Sequence, residues 1–373
     1  MRVIMTCGGT GGHINPAIAI ANTIKENMPD AEILFVGTKK GQEGKLVPRE
    51  GYEIEFVKSE GIRRSLSPAN IKALIMSQIS PFLAKKIIRR FKPDVVIGTG
   101  GYACWPMLKA AAMMKIPCAV HESNAIPGMA VKMLQKSVDV IFTNFDRTSE
   151  FLTRKEKIIK VGNPLRTAFD NMDKNAARAE LGISDKEFFV VSYGGSGGAE
   201  YLNQTLTELM SLYLGEEKNI RLIHATGSRD YAESLARYKS LGADKVKNSE
   251  LVEYIYDMPA KMAAADLVIC RAGAMTVSEL SMMGKAAIII PSPNVVDNHQ
   301  YKNAKVLADA GAAILIEEKD VTAESLWREI KNLLCDPRKR GLLEKNIKQF
   351  AAQDVNKRIF DEIIRLVQTQ KTK

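Results

Sequence analysis

Three kinds of residue in this chain could do chemistry: glycine runs, a few histidines, and charged residues standing near them. One run reads Gly8-Gly9-Thr10-Gly11-Gly12-His13, and a second reads Gly194-Gly195-Ser196-Gly197-Gly198. A glycine run between a strand and a helix exposes backbone N–H groups at the positive end of the helix, which suits a phosphate. The spacing excludes two familiar uses. G-x-G-x-x-G would require glycine where Ile14 stands, and no Gly-Lys-[Ser/Thr] follows for a Walker loop. Hydride transfer and nucleoside triphosphate hydrolysis therefore lose ground. The four histidines are His13, His121, His224 and His299. His13 closes the first run and His121 ends an apolar strand, positions where α/β sites assemble; His224 reads more as a structural hydrogen-bonder. No His/Cys spacing suggests zinc, and no D-x-D occurs to clamp a diphosphate through a metal. A departing diphosphate would rely on amides and arginines, for which Arg166 and Arg271 are suitably placed. Each could equally be an ion-paired surface residue. Glu279, early in a helix, either favours the helix dipole or holds the hydroxyls of a ribose.

The elements that must position these residues alternate. "RVIMTC", "AEILFVG", "PDVVIG" and "IPCAVH" read as strands separated by helical stretches, the pattern of a parallel α/β sheet. Asn15-Pro16 reads as the start of the first helix, with Asn as N-cap and Pro at its first position. The second half repeats the arrangement. "FFVVSYGGSGGAEYLNQTLTEL" echoes "RVIMTCGGTGGHINPAIAIANTI", and "ADLVICRAGAMTVSELSMMGKAAIII" echoes "PDVVIGTGGYACWPMLKAAAMMKIPCAV". Two domains of related topology follow, dividing near Gly162-Asn163-Pro164. The 373-residue length fits two domains. Helices over 323–335 and about 338–369 end the chain. In "GAMTVSEL", Thr276 or Ser278 is available as a helix cap.

Charge is uneven. Residues 1–160 hold 24 Lys+Arg against 14 Asp+Glu, while the rest balances at 29 of each. Residues 61–93 carry eight basic residues and no acidic one. Here Ser67-Pro68 and Ser80-Pro81 each read as the opening of a helix. Ile75, Ile79, Phe82 and Leu83 cluster at the join, and Lys85, Lys86, Arg89 and Arg90 follow. Apolar residues beside a cationic face suit an anionic membrane surface; the alternative is that they are ordinary core. Nucleic acid is not expected, since no aromatic–basic interleaving or reader motif occurs. No apolar run approaches the ~18 residues of a membrane span. Five cysteines without paired spacing fit a reducing compartment, and no secretory leader is expected ahead of the first strand.

"GGTGGHINP", "GTGGY", "HESNAIPG", "GNPLR", "GGSGGA", "CRAGAMTVSE" and "DNHQYKNA", in this order, resemble the MurG family of peptidoglycan glycosyltransferases over essentially the whole chain. The resemblance implies an α/β chain of two Rossmann-like domains facing a cleft, the glycosyltransferase B fold. Residues 1–162 would bind acceptor and membrane, residues 163–345 the UDP-sugar, and a helix within residues 346–373 would return to the first domain. The implied reaction is inverting, metal-independent transfer of N-acetylglucosamine from UDP-N-acetylglucosamine to undecaprenyl-diphosphate-linked muramyl-pentapeptide. It needs no cofactor and runs at the cytoplasmic face of a membrane bearing anionic lipids. By the same resemblance, Ile255 offers its backbone to uracil and Glu279 binds the ribose, with Ala274, Met275, Thr276, Val277 and Ser278 alongside. Ser196 and its loop hold the donor diphosphate and Arg166 supports the donor from the linker. Gln300 and Asn124 contact the sugar, with Thr10, Gly11 and Gly12 nearby. The acceptor diphosphate meets Gly8, Gly9, Gly100, Gly101, Tyr102 and His121. His13 and Glu122 compete as the general base. The sequence departs from the family at Gly197 and Ser123, where glutamine is usual, and at Cys104, where serine is frequent. It is also about 4 residues short, roughly one helical turn, ahead of Pro93. The alternatives are another UDP-sugar enzyme of this fold, such as a lipid glycosyltransferase or an epimerase, or a non-catalytic nucleotide-sugar binder.

Overall fold

The computed structural model describes residues 1–59, 68–170, 172–295 and 298–371, with residues 68–74 and 371 described by backbone alone. They form two compact units, Met1–Arg166 with Ala352–Lys373, and Thr167–Ala351.

The first unit is a seven-stranded parallel sheet: β1 (Arg2–Thr6), β2 (Glu32–Gly37), β3 (Glu53–Phe56), β4 (Val95–Gly98), β5 (Cys118–Glu122), β6 (Val140–Thr143) and β7 (Ile158–Lys160). The central strands are mostly apolar because both faces are covered. Val3, Met5 and Phe35 point into one core, while Ile4, Leu34 and Val96 point into the other. The helix Val355–Lys371 closes the first face with Val355, Ile359, Ile363 and Val367, one buried residue per turn. Each such side chain contributes about 1.5–3 kcal/mol on burial. The strand order is β3-β2-β1-β4-β5-β6-β7. It reverses between β1 and β4, so the loops leaving their carboxyl ends diverge and open a crevice there. Thr6 pairs with Gly98, so the two strands end level.

The second unit repeats this plan with β8 (Phe188–Tyr193), β9 (Ile220–Ala225), β10 (Ser249–Val252), β11 (Leu267–Cys270), β12 (Ala287–Ile289) and β13 (Ile314–Leu315), ordered β10-β9-β8-β11-β12-β13. Its switch point lies between β8 and β11, where Tyr193 pairs with Cys270. The second glycine run leaves β8 there, and Arg271 leaves β11.

Several helix expectations need correction. Helix α1 spans Gly11–Asn27, with Thr10 rather than Asn15 at the N-cap. The Thr10 carbonyl already accepts the His13 and Ile14 N–H groups, at 3.0 and 3.1 Å, so the helix begins at the glycines. Pro16 lies inside it and simply lacks one hydrogen bond. His13 therefore sits in the first helical turn and not at the end of a loop. After α2 (Glu43–Arg49) comes α3 (Pro68–Phe91), one helix where two were expected; Ser67 lies outside the described residues. Pro81 cannot donate to the Ser77 carbonyl four residues back. The Trp105 indole N–H takes that carbonyl instead, at 2.7 Å, so the helix runs on through the proline. Helices α4 (Cys104–Met113) and α5 (Met129–Leu134) complete the set that frames the first crevice. At the chain end, the expected 323–335 helix is present as Ala323–Cys335. The following stretch splits into Pro337–Ile347 and Val355–Lys371, because the chain passes from the second unit back to the first between them. The helix Ala274–Met283 is preceded by Gly273 with no side-chain cap; Ser278 instead donates back to the Ala274 carbonyl at 3.1 Å.

Candidate active site

The crevice at the first switch point is a cavity of about 310 Å³. Its polar end is formed by Gly8, Gly9, Thr10, His13, Gly100 and Gly101. Tyr102 and Glu122 flank it, and Trp105, Met129, Val131 and Met133 make an apolar end. Two glycines permit this closeness. A Cβ on Gly101 would fall 2.1 Å from the Gly8 carbonyl oxygen, and one on Gly100 would fall 2.3 Å from His13 Nδ1. Both also hold positive φ, 109° for Gly100 and 86° for Gly101.

His13 is oriented by Thr99. Its Nδ1 lies 3.0 Å from the Thr99 carbonyl, and Thr99 Oγ1 donates to the His13 carbonyl at 2.6 Å. A carbonyl can only accept, so Nδ1 carries the hydrogen and the neutral ring keeps its lone pair on Nε2. Glu122 is engaged differently. Its Oε1 accepts from Asn124 N and Asn124 Nδ2 at 2.9 and 3.1 Å, and its Oε2 accepts from Gly128 N at 2.8 Å. The carboxylate thus closes the 123–128 loop, and the Asn124 amide is directed to Glu122.

His121 does not reach this cavity. It is fully buried, with Nε2 2.9 Å from the Gly162 carbonyl and Nδ1 3.4 Å from Ser123 Oγ. It is a core side chain with a partner at each nitrogen, and it is not among the residues that line the cavity. Burial lowers its pKa to about 4, as it does for His224, which is held between Ser192 Oγ and Asn203 Oδ1 at 3.1 and 2.9 Å. Both are neutral when folded, whereas the unfolded chain takes up protons below about 6.5. Between those values the unfolded state binds more protons, so stability should fall as pH drops from 6.5 to 4. The loss per histidine should approach roughly 3 kcal/mol. Urea titrations across that range check this. His224→Gln, which cannot titrate, should flatten the slope; an unchanged slope would refute the assignment.

The crevice at the second switch point is a cavity of about 440 Å³, lined by Gly194, Gly198, Arg229, Arg271, Gln300 and Glu318 among others. Arg271 is buried. It donates to the Ile290 carbonyl at 3.0 Å and pairs with Glu318. Gln300 Oε1 accepts the Ser292 N–H at 2.9 Å. A Cβ on Gly198 would meet Asp230 Oδ2 at 2.4 Å, so the loop lies tight against the next strand's loop. Gly197 has nothing within 4 Å of where a Cβ would stand, and its φ is not positive, so a longer side chain fits there.

Other expected site residues lie apart from these cavity walls. Ser196 is on the same glycine loop, where its carbonyl accepts from Ser228. Glu279 is buried in the second turn of its helix, close to Tyr193 and Cys270, and Tyr193 also meets Thr276. Ala274 and Met275 are buried, and Val277 and Ser278 partly so. Ile255 is buried between β10 and the helix Met258–Ala264. Arg166 belongs to the first unit and pairs with Glu50 at 3.1 Å, so both arginines carry a carboxylate partner, Arg271 in a buried setting. Gly11 and Gly12 are helical. Sequence reasoning missed Glu43, Trp105 and Glu318. The glycines around Glu43 in "GTKKGQEGK" were a signal; nothing local marked the other two.

The four apolar residues singled out on α3 are not core. Ile75, Ile79, Phe82 and Leu83 are 54, 46, 62 and 46% exposed, whereas Ala84 and Ile88 on the other side are fully buried. Lys85 stacks on Phe82 at 5.2 Å, Lys86 and Arg89 are partly or fully exposed beyond them, and Arg90 pairs with Glu55. Among the described residues, no helix is long and apolar enough to cross a membrane, and no cluster of His, Cys, Asp or Glu is placed to hold a metal.

Two Rossmann-like units, each with a glycine-lined crevice at its switch point, make up the glycosyltransferase B fold. Residues 3–143 match the glycosyltransferase family 28 N-terminal domain and residues 189–359 match its C-terminal domain. The UDP-N-acetylglucosamine–N-acetylmuramyl-(pentapeptide) pyrophosphoryl-undecaprenol N-acetylglucosamine transferase of Acetivibrio thermocellus is 44% identical over 363 residues, 97% of each chain. The crystal structure of Acinetobacter baumannii MurG superposes with a TM-score of 0.68 at 28% identity, covering 98% of this chain and 99% of that one. The chain belongs to the MurG family. The UDP-GlcNAc 2-epimerase of Neisseria meningitidis shares the fold alone, at 13% identity and a TM-score of 0.65, over 98% of this chain and 100% of that one.

Proposed function

We propose that this chain transfers N-acetylglucosamine from UDP-N-acetylglucosamine to the muramyl sugar of undecaprenyl-diphospho-muramoyl-pentapeptide, at the cytoplasmic face of the membrane. The observation that carries the mechanism is His13 Nδ1 held at the Thr99 carbonyl beside the two apposed glycine loops. Nε2 takes the proton of the acceptor hydroxyl, and its oxygen attacks the anomeric carbon from the face opposite UDP. The carbon–oxygen bond to UDP breaks and the diphosphate keeps the electron pair. The glycine loop after β8 and its helix start stabilise that charge, so no metal is needed. Glu122 serves as a brace, since three N–H donors already occupy its two oxygens.

Product analysis tests the reading. The enzyme should release UDP and form a disaccharide-lipid from the muramyl lipid, but form nothing from diacylglycerol. A free epimer in the absence of acceptor would overturn it in favour of the epimerase alternative, and binding without turnover in favour of a non-catalytic binder.

Glu279 is the proposed ribose ligand. Hydrogen bonds to an ionised group are worth about 1.5–3 kcal/mol, so Glu279→Ala should lower donor kcat/KM by roughly 10–150-fold. Preference for the ribo- over the 2′-deoxy donor should fall in parallel. A wild-type enzyme that uses both donors equally would remove Glu279 from this role.

A further inference from the structure

Glu43 has no part in the mechanism above, yet it is fully buried. Its Oε1 accepts from Thr38 N and Thr38 Oγ1 at 2.7 and 2.8 Å, and its Oε2 accepts from Gly9 N at 2.9 Å. No lysine or arginine pairs with it among the described residues. A buried carboxylate without a cation is costly, and an ordinary turn would be served by a neutral side chain. Glycines make room for this one from three directions. A Cβ on Gly8, Gly37 or Gly41 would lie 2.9, 2.4 or 1.8 Å from Glu43 atoms. The next residue back, Gln42, donates its N–H to the Gly9 carbonyl at 3.3 Å, so both polar groups of Gly9 are tied to the start of α2. Gly101 in turn lies against the Gly8 carbonyl, and Gly100 lies beneath the His13 ring.

We propose that Glu43 is a positioning residue for acceptor binding: its carboxylate fixes the first glycine loop, and through it the second loop and His13. The proposal rests on the reading that the acceptor diphosphate meets these loops. Gln cannot replace the carboxylate, because its NH₂ would face either Gly9 N–H or the Thr38 donors.

The test uses three full-length variants: Glu43→Gln, Gly41→Ala and Gly44→Ala. Gly41→Ala displaces the carboxylate sterically while Glu43 itself remains. Gly44→Ala is the control, because its Cβ would make only an ordinary 3.5 Å contact with Phe56. Glu43→Gln and Gly41→Ala should lower acceptor kcat/KM by roughly 10–100-fold. The Kd for UDP-N-acetylglucosamine should be unchanged, and Gly9 amide exchange should be faster. Gly44→Ala should match wild type in all three. Equal loss on donor and acceptor sides, or wild-type acceptor kcat/KM in a folded Gly41→Ala, would overturn the proposal. If Glu43→Gln does not fold, Gly41→Ala decides; if neither folds, Glu43 holds the unit and not the loop, and the proposal falls. An inactive wild type would count against the functional reading instead, and Gly9 exchange would then still judge Glu43.

Discussion

His13→Ala should lower kcat by about 10²–10⁴-fold at saturating donor and acceptor, the usual loss when a general base is removed. It should also abolish the acidic limb of the pH–kcat profile. The ring is held by Thr99 with its hydrogen on Nδ1, so Nε2 carries the lone pair that accepts the substrate proton, and a limb that reports that acceptor goes with the ring. Glu122→Gln is the informative partner. It places an NH₂ against Asn124 or Gly128, loosens the 123–128 loop, and should cost activity through KM while keeping the acidic limb. The limb therefore separates base from brace more sharply than the size of the rate loss. If His13→Ala retains the limb and most of kcat, His13 is not the base. If Glu122→Gln alone loses the limb, the roles are reversed.

The sheets were legible because buried parallel strands read as short apolar runs, and because glycines at strand ends announce loops that need unusual backbone angles. The echo between the halves was legible for the same reason: each half repeats a strand, a glycine loop and a helix. What sequence hid was non-local. The Trp105 indole that rescues the Ser77 carbonyl is 28 residues away, so Ser80-Pro81 looked like a helix start. Glu43 reaches Gly9 across 34 residues, and Glu50 and Glu318 reach Arg166 and Arg271 across 116 and 47. Whether a histidine at a strand end points into a crevice or into a core depends on what packs beside it. His121 and His13 both looked available, and burial separated them. The polarity of this segment was legible in the eight basic residues of 61–93, but exposure of the apolar side of α3 required the packing of Ala84 and Ile88 into the core beneath it.

That exposed side leads to the second large effect. Reversing Lys85, Lys86 and Arg89 to Glu should weaken binding to anionic vesicles by at least roughly 10²-fold at low salt. Each cation near such a surface contributes about 1 kcal/mol, and reversal replaces attraction with repulsion. Arg90 is left in place because Glu55 already compensates it. The wild-type affinity should fall with added salt as the Debye length shortens. Replacing Ile79 and Phe82 with Ser removes the apolar contribution instead, which salt does not screen, so affinity should drop while its salt dependence stays similar. Both side chains are largely exposed, so neither variant should lose thermal stability. Turnover on a short-chain, water-soluble acceptor should remain near wild type in both, because neither set of residues lines the His13 cavity. A large fall in Tm for the Ile79/Phe82 variant would mean that this side of α3 is packed in solution. Undiminished vesicle binding by the charge-reversed protein at low salt would mean that the enzyme meets its lipid-linked acceptor through some other surface.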